Sequence, residues 1–432
     1  MERIIGIVVL MLATTQLKAQ VLTLQEAVNI ALRNSLDIQI AKNNAEARNI
    51  NNHISVAGGL PQVNANLSDN QSLTNLNQEL NSGTNIKRTG TPNNAIVAGI
   101  SGSFLLFNGF RVYASKNRLA ALERQSAQLT NLQVQNIISD VTVKYYDIVR
   151  QESYMRTIQQ SIDVTLKRKE IVDARRSVGL ANNADTYQAQ IDLNASQQEL
   201  QLQQLVLLQS KADLMNLITQ KPDSSFTIRD TIIVDSTINF SSVKDSLKNN
   251  PELLSAEQQI RVNEWAVKEV GAQRYPSVSL NGGFNFTRNQ SGAGNVLFNQ
   301  NYGPFVGLSV AVPIFNGGLY KRQQRVAEID TRNAASNRTI LLNNLETSAV
   351  KSWQAYQNNL QQLQTERENN KLANDLLQLT LQRYQLSQAT IIEVREAQRS
   401  FVEAGYRLVN LAYSAKVAEI ELKRLANRTT IY

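Results

Sequence analysis

Residue types that usually carry chemistry are sparse in this chain of 432 residues. There is no cysteine and one histidine, His53, so disulfides, thiolate metal sites and histidine clusters are excluded. The glycine-rich stretch SGAGNV at 291–296 is not followed by the Lys-Ser/Thr that a phosphate-binding loop requires. We therefore expect no enzymatic activity, no metal site and no cofactor.

Two acidic residues, Glu393 and Glu396, are spaced so that their negative charges would lie close together. They are one helical turn apart and therefore share a face. Crowded carboxylates attract cations, and rings of acidic side chains select cations in pores. The alternative is a solvated surface, on which these glutamates pair with Arg395 or Arg399.

Glycine and proline mark the elements that must position such residues. Nearly all glycines lie in two windows, 58–109 and 271–318. The stretches 110–178 and 319–404 contain neither glycine nor proline, and their apolar residues recur at three- and four-residue steps. This pattern predicts very long helices of coiled-coil type, and the first stretch would be about 100 Å long at 1.5 Å per residue. We expect an elongated protein.

Alternating apolar and polar residues in both glycine windows predict β-strands. Val63, Ala65 and Leu67, for example, alternate with glutamine and asparagine. Such alternation over about ten residues is typical of transmembrane β-barrel strands, although an ordinary half-buried sheet shows the same pattern on a single strand. The predicted strands are about 61–70, 95–107, 276–288 and 302–315.

The number of strands predicts an assembly of several chains. Four strands cannot close a barrel, which needs about eight or more. An open sheet edge in hydrocarbon would leave backbone groups without hydrogen bonds. Three copies would supply twelve strands, and the four helical segments of each copy could wrap a tube. We therefore expect a mixed fold, a transmembrane β-barrel joined to an all-α coiled-coil barrel.

The two halves of the chain repeat each other, which indicates an internal two-fold repeat. ALRNSLDI at 31–38 matches SLKNNPEL at 246–253, and LLFNGF at 105–110 matches PIFNGG at 313–318. Phe-Asn-Gly should mark the corner where a strand turns into a long helix, because Asn and Gly tolerate left-handed backbone and Asn can cap a helix. The predicted corner residues are Phe107, Asn108, Gly109, Phe315, Asn316 and Gly317.

We expect a positive φ at Gly109 and, by contrast, a permissive loop around Gly83. The inter-strand loops at 68–95 and 288–301 are expected to face outside. The stretch 222–241 is β-prone and should form a strand or two beside the helices.

The first residues of the chain have the composition of a targeting segment. An apolar run after Glu2 and Arg3 has the layout of a secretory signal peptide.

The net charge of +8 comes from lysines and arginines that look scattered along the sequence, with no basic stripe that would indicate nucleic acid. The expected divisions are a signal peptide at 1–19, a first repeat at 20–220, an equatorial linker at 221–241, a second repeat at 242–427 and a C-terminal tail at 428–432.

The whole chain resembles the outer membrane efflux protein family, the TolC-like channels. The resemblance rests on paired helix starts at 34–38 and 249–253, on the duplicated corners, and on two tip motifs, RRSVGLANNADTYQAQ and RYQLSQATIIEVREAQ. In the second tip, Ser387 stands where the family usually has glycine. The resemblance implies a homotrimer in the outer membrane of a diderm bacterium, with a twelve-stranded β-barrel (four strands per chain) and a twelve-helix α-barrel across the periplasm.

The resemblance also implies roles for particular residues. Glu393 and Glu396 would line the periplasmic entrance, where the family usually has aspartate. Asp185 and Tyr384 lie beside the two helix turns, where a hydrogen bond from the phenol to the carboxylate would latch the entrance closed. The tip residues implied to dock an adaptor are Gly179, Leu180, Ala181, Ser387, Gln388 and Ala389.

The implied partners are outer membrane lipid, a periplasmic membrane-fusion adaptor and an inner-membrane transporter of the RND, ABC or MFS type. The protein would be the passive exit duct of a tripartite efflux or type I secretion system. The alternative is a non-channel exported coiled-coil structural protein, which the predicted strands disfavour.

Overall fold

A computed structural model of the protein describes residues 20–223, 226–293 and 296–428. The expected signal peptide at 1–19 lies outside the described residues, as does nearly all of the expected tail at 428–432. The helices are α1 (Leu24–Asn34), α2 (Leu36–Asn51), α3 (Arg111–Ser177), α4 (Asn183–Leu217), α5 (Phe240–Ser246), α6 (Pro251–Gly271), α7 (Leu319–Gln385) and α8 (Ile391–Leu425). The strands are β1 (Gln20–Val21), β2 (Gln62–Glu79), β3 (Asn85–Phe107), β4 (Phe226–Thr227), β5 (Ser277–Ser291) and β6 (Phe298–Ala311).

The chain forms two compact units. In the described part, one unit contains residues 20–43, 128–254 and 340–428, and we call it the helical unit. The other contains residues 44–127 and 255–339, and we call it the sheet unit. Because α2, α3, α6 and α7 cross these boundaries, each of them contributes residues to both units.

The long helices confirm the prediction made from the absence of glycine and proline. Helices α3 and α7 have 67 residues each, and α4 and α8 have 35 residues each. Helix α7 begins 208 residues after α3, and α8 begins 208 residues after α4, which is also the distance between the two Phe-Asn-Gly motifs. None of the described helices combines the length and the apolar composition needed to cross a membrane.

The sheet unit contains one antiparallel four-stranded sheet in the order β2-β3-β5-β6. Its register brings Gln62 opposite Ser103 and Ser277 opposite Ala311, so the helix-proximal ends of all four strands lie at one end of the sheet. Strands β2 and β6 are the two edges, and neither has a partner on its outer side within the described chain. The sheet is therefore open at both edges.

The strands differ in length from those that alternation predicts. Residues 68–95, predicted as a loop, are mostly a continuation of the β2–β3 hairpin up to the pair Glu79 and Asn85. Alternation could not reveal this part because neither face of it is apolar, and backbone pairing alone defines it. Strand β6 ends at Ala311 rather than at 315, two residues before Pro313.

Apolar side chains are exposed on the sheet and buried in the helical unit. Leu67 on β2 and Val306 on β6 are 77% and 79% exposed. In contrast, all five clusters of buried apolar residues found in the described part of the chain lie in the helical unit. The sheet therefore leaves uncovered an apolar surface of a kind that soluble proteins rarely expose.

Two buried tyrosines fix the segment between the halves of the chain. The Tyr145 hydroxyl lies 3.1 Å from the Leu22 carbonyl oxygen and 2.5 Å from Asp230 Oδ2. Burial raises the pKa of Tyr145 well above its usual value, and the hydrogen bond to Asp230 adds to the rise. The Tyr356 hydroxyl donates to the Asp235 carbonyl oxygen. These bonds hold the linker against α3 and α7.

A buried carboxylate on α8 reinforces the same segment. Glu419 is 2% exposed and accepts hydrogen bonds from Lys416 at 2.9 Å, Lys423 at 2.8 Å and the Asp235 backbone N–H at 2.9 Å. The linker itself is less regular than its β-prone sequence indicates. In its described part, Phe226–Thr227 pairs in parallel with β1, and the next regular element is α5.

Both Phe-Asn-Gly corners contain left-handed backbone, as predicted. Gly109 has a φ of +67° and Gly317 a φ of +64°. A Cβ at Gly109 would lie 2.6 Å from Tyr275 Cβ and 2.7 Å from the Ala272 carbonyl oxygen, whereas one at Gly317 would meet open space. The loop around Gly83 was expected to tolerate substitution. This expectation is wrong for the backbone conformation, because Gly83 also has a positive φ, +82°.

The asparagine caps expected at the corners are weak. Asn108 Oδ1 accepts from the Val112 N–H at a long 3.4 Å. At the second corner it is the Asn316 carbonyl oxygen, rather than its side chain, that accepts from the Leu319 N–H, at 3.2 Å. The glycines therefore contribute more to the corners than the asparagines do.

A methyl group added at Gly109 should destabilise the protein more than one added at Gly317. Left-handed backbone costs an alanine roughly 1–2 kcal/mol at either site, but only at Gly109 does the new carbon meet other atoms. We expect Gly109→Ala to lower the free energy of unfolding by about 3 kcal/mol and Gly317→Ala by about 1 kcal/mol. Denaturant melts in detergent, followed by far-UV circular dichroism, measure both. Equal losses would show that the Tyr275 contact relaxes without cost.

Candidate functional site

The two tip motifs form matched helix turns in the helical unit. In the first turn, Gly179 has a φ of +80°, and the Leu180 N–H donates to the Arg175 carbonyl oxygen at 2.8 Å. In the second turn, Ser387 has a φ of +60°, and the Gln388 N–H donates to the Arg383 carbonyl oxygen at 2.8 Å. Serine therefore takes the backbone conformation that glycine takes in the first tip, and the second turn is as tight as the first.

Arg175 of the first hairpin holds the second turn. Its Nη2 donates to Ser387 Oγ at 2.6 Å and to the Tyr384 carbonyl oxygen at 3.1 Å. Its guanidinium carbon also lies 4.6 Å from the centre of the Tyr384 ring, within the range of a cation–π contact. One arginine therefore ties α3 to the end of α7, and its bond to Ser387 offsets part of the strain at that serine.

The acidic residues after each turn are capping residues. Asp185 accepts from the Asn182 backbone N–H at 3.2 Å, and Asn182 Oδ1 accepts from the Asp185 N–H at 2.9 Å. Glu393 makes the same reciprocal arrangement with Thr390, at 3.1 Å and 3.2 Å. The hydrogen bonds from Thr390 lower the pKa of Glu393. These capping boxes fix where α4 and α8 begin.

The structure does not bring Asp185 and Tyr384 together within one chain. The Asp185 carboxylate is engaged at its own helix start. Tyr384 is buried in a small apolar cluster with Val172, Ala189 and Val394. The direct latch that the resemblance implied is therefore absent from the single chain, and Arg175 makes a contact that joins the two hairpins there.

Glu393 and Glu396 are both exposed and lie one turn apart on α8, as predicted. Glu396 Oε1 accepts from Arg399 Nη2 at 2.6 Å, and Glu393 Oε2 lies 3.9 Å from Arg383 Nη1. Each carboxylate therefore has an arginine neighbour, which partly neutralises it in the single chain.

The tip also presents apolar side chains to solvent. Leu180 and Ile392 are 73% and 72% exposed. Among the other residues predicted to dock a partner, Gly179, Ser387 and Gln388 are exposed, and Ala181 and Ala389 are half-buried. The tip is therefore a mixed apolar and polar surface.

A buried polar cluster behind the tip was missed by sequence reasoning. Arg168 on α3 is 1% exposed, and its Nη2 lies 2.5 Å from Asp192 Oδ2 on α4. Arg395 Nε on α8 lies 3.5 Å from the same oxygen. Burial lowers the pKa of Arg168, opposed by the Asp192 charge. The pair and its second arginine connect three helices.

A buried glutamine continues this cluster. Gln398 Nε2 on α8 donates to Ser161 Oγ at 2.7 Å and to Thr165 Oγ1 at 2.8 Å on α3. The available sequence signal was the spacing of Ser161, Thr165 and Arg168, which places three polar residues on one face of a helix. Polar residues so spaced usually mark a solvated face, so the signal did not identify a buried site.

Comparison with known proteins identifies the family. The family model described as outer membrane efflux protein matches residues 27–220 and 243–428. The chain belongs to the outer membrane efflux protein family. The resemblance stated from the tip and corner motifs is confirmed, and so are the outer membrane as the location and transport as the class of function.

Individual relatives and structures agree with this family. Outer membrane protein TolC of Vibrio cholerae is 23% identical over 299 residues, 67% of each chain. Outer membrane efflux protein BepC of Brucella suis is 21% identical over 433 residues, 98% of this chain and 90% of its own. The crystal structure of VceC from Vibrio cholerae superimposes with a TM-score of 0.76 at 18% identity, covering 93% of this chain and 95% of VceC. That likeness shows a TolC-like fold.

Substitutions at Ser387 should separate backbone strain from the Arg175 hydrogen bond. Alanine loses the hydroxyl and keeps the left-handed strain, while glycine loses the hydroxyl but relieves roughly 1 kcal/mol of strain. Because an exposed hydrogen bond contributes about 1 kcal/mol, we expect Ser387→Gly to leave the tip nearly unchanged. Ser387→Ala should lower its local opening free energy by about 1 kcal/mol.

Hydrogen exchange of the amides around the second turn measures both variants. Faster exchange in the glycine variant than in the alanine variant would contradict this assignment of strain to Ser387.

Proposed function

We propose that three copies of this chain form an outer membrane efflux channel. The observation that carries the proposal is the open sheet, since β2 and β6 each leave one edge that pairs with no other strand among the described residues. Strands that lie in hydrocarbon must satisfy every backbone polar group. Pairing β6 of one copy with β2 of the next gives twelve strands with no free edge, enough to close a barrel.

The exposed apolar residues of the sheet support membrane insertion. Leu67, Val306 and Leu308 are each more than half exposed in the single chain. A lipid environment on the outer face of a closed barrel would cover such side chains. The rival proposal, an exported coiled-coil structural protein, assigns no role to this sheet.

The helical segments would form the periplasmic part of the duct. Four helical segments per chain, from α3, α4, α7 and α8, would give twelve in a trimer, with the repeat of the chain making the two hairpins similar. We propose that the channel is the passive exit of a tripartite efflux or type I secretion system. Substrates would come from an inner-membrane transporter through a periplasmic adaptor.

The tip is the surface that we propose docks the adaptor. Leu180 and Ile392 supply exposed apolar contacts, and the two capped turns hold them in fixed positions. The Arg175 contacts with Ser387 and Tyr384 would help to keep the entrance closed. The proposed latch between Asp185 and Tyr384 would have to form on assembly, because the single chain does not contain it.

The purified protein should be a trimer in detergent. Light scattering corrected for bound detergent should give about three times the mass of one chain, which is 48.2 kDa with the expected signal peptide included, and the trimer should dissociate on heating. A stable monomer that keeps its strands in detergent would overturn the channel proposal, because its sheet edges would then be unpaired.

Removing the charges of Glu393 and Glu396 should reduce the cation preference of the channel. In a trimer the two glutamates would place six carboxylates around the entrance, and such rings favour cations. We expect Glu393→Gln with Glu396→Gln to shift the reversal potential in a salt gradient towards zero. Because the hydrogen bonds from Thr390 lower the pKa of Glu393, this carboxylate should keep its charge to a lower pH than a free glutamate, and its own share of the cation preference should be lost as the pH falls through the lowered pKa.

Glu403→Gln is the matched control. Glu403 also lies on α8 and near Arg399, at 3.9 Å, but about two turns farther from the tip. Equal shifts in both variants, or none in either, would show that Glu393 and Glu396 do not line the entrance.

A further inference from the structure

The positive charge of the protein is concentrated where the strands meet the helices. The four segments that adjoin the strands at one end of the sheet are 48–61, 108–118, 265–276 and 312–325. Together they contain nine lysines or arginines and one acidic residue, Glu269, a net charge of +8 that equals that of the whole chain. We call these segments the basic collar. Nine of the 44 lysines and arginines, far apart in the sequence, are therefore brought to one end of the sheet by the fold.

The net positive charge of the collar is absent from the helical turns that follow it. The remaining helical segments of the sheet unit, 44–47, 119–127, 255–264 and 326–339, contain four basic and six acidic residues. Within the described chain, Arg118 is the one base of the collar that forms an ion pair, with Glu269 at 2.6 Å. The collar therefore carries a positive charge that the protein itself does not neutralise.

The placement of these bases opposes the usual preference of helix ends. Helices α3 and α7 both begin in the collar, and neither has an acidic residue in its first turn. Their first turns instead contain Arg111, Lys321 and Arg322. A helix N-terminus is itself positive and favours acidic residues, as α1, α4 and α8 show with Glu26, Asp185 and Glu393. Bases at these two starts add to the positive potential rather than offset it.

Named contacts make the four segments one continuous surface. Lys116 donates to Asn52, which links the first segment to the second. Arg118 and Glu269 link the second to the third. Arg274 Nη1 donates to Gln324 Oε1 at 3.3 Å, which links the third to the fourth. The bases therefore lie on adjoining segments of the protein, and Arg111, Lys268, Lys321 and Arg322 are all exposed.

Exposed aromatic side chains accompany the bases. Phe110 is 72% exposed and has a φ of +67°, a strained backbone for a residue with a side chain. Tyr113 is 63% exposed and packs edge-on against Trp265, and Lys268 Nζ lies 3.9 Å from the centre of the Trp265 ring. Aromatic rings beside lysine and arginine at the end of a membrane strand are suited to the lipid headgroup region.

We propose that the basic collar binds the anionic phospholipid headgroups of the membrane leaflet that the helix-proximal strand ends adjoin. The phosphates would sit against Arg111, Lys268, Lys321 and Arg322, with Phe110 and Tyr113 in the interfacial layer. Charge complementarity selects this occupant, because an unpaired positive surface at the end of membrane strands faces a layer of phosphates. The proposal rests on the insertion of the strands proposed above and goes beyond it, since a channel needs no preference among lipids.

Lipid retention tests the proposal directly. The trimer is placed in nanodiscs of equimolar phosphatidylglycerol and phosphatidylcholine, and the lipids that remain bound on release are counted by native mass spectrometry. We expect phosphatidylglycerol to be enriched, and the enrichment to weaken at high salt. In Lys321→Gln with Arg322→Gln the enrichment should fall on the order of ten-fold. The matched control, Lys87→Gln with Arg88→Gln, removes two adjacent bases at the opposite end of β3 and should keep it.

Other outcomes would overturn the proposal. Equal retention of the two lipids by the unsubstituted trimer, or equal losses in both variants, would show that the collar does not select anionic headgroups. Dissociation of the Lys321 and Arg322 variant into monomers would place these bases between subunits. Unchanged lipid retention with altered ion selectivity would place them in the duct. A trimer that conducts but retains both lipids equally refutes this proposal alone, whereas a chain that never forms a conducting trimer refutes the proposed channel as well.

Discussion

Backbone hydrogen bonding at the edges of the sheet is the constraint on which the architecture depends. Strands β2 and β6 each have an outer edge whose N–H and C=O groups pair with no other strand in the described part of the chain. In water these groups would be solvated, but in hydrocarbon each unpaired group costs several kcal/mol. The exposed apolar side chains of the same strands, such as Leu67 and Val306, would favour an apolar environment over water. Under the proposed insertion, pairing with another copy would meet both demands, and it would account for long strands in a sheet unit that has no cluster of buried apolar residues among those described.

Left-handed residues determine where the chain changes direction. The corner at Gly109 needs glycine for two reasons, its φ and the close approach of Tyr275, while Gly317 needs it for φ alone. The second tip manages with Ser387 because Arg175 binds its hydroxyl. The same bend is therefore made by glycine where nothing supports it and by serine where an arginine does.

Sequence patterns predicted the elements better than their contacts. The long helices were found because glycine and proline are absent from residues 111–177 and 319–385, a local property of the chain. The strand bounds were found only where one face is apolar, so the extension of the β2–β3 hairpin to Glu79 was missed. Backbone pairing between Asn, Thr and Gln residues produces no alternation of apolar and polar residues in the sequence.

The candidate site also contains two kinds of contact, those between residues close in sequence and those between different helices. The acidic residues at 185 and 393 were singled out for their type, and their capping role is local, since each partner lies three residues away. The contacts of Arg175 with Ser387 and of Arg168 with Asp192 join different helices. Neither can be read from spacing along one helix, because which helices are neighbours is decided by packing of the whole unit.

A buried polar cluster such as the one behind the tip often stabilises a fold no more than apolar side chains of similar size would. Specificity therefore explains this cluster better than stability does. An ion pair such as Arg168 and Asp192 loses its hydration on burial, and well-packed apolar side chains of similar size would often be as stable or more stable. Apolar seams between long helices, however, tolerate slippage by a turn, since one leucine can replace another. Asp192 meets Arg168 and Arg395 in one alignment, and Gln398 meets Ser161 and Thr165 in the same one. The cluster therefore favours a single register of α8 against α3 and α4, which keeps the two tip turns side by side.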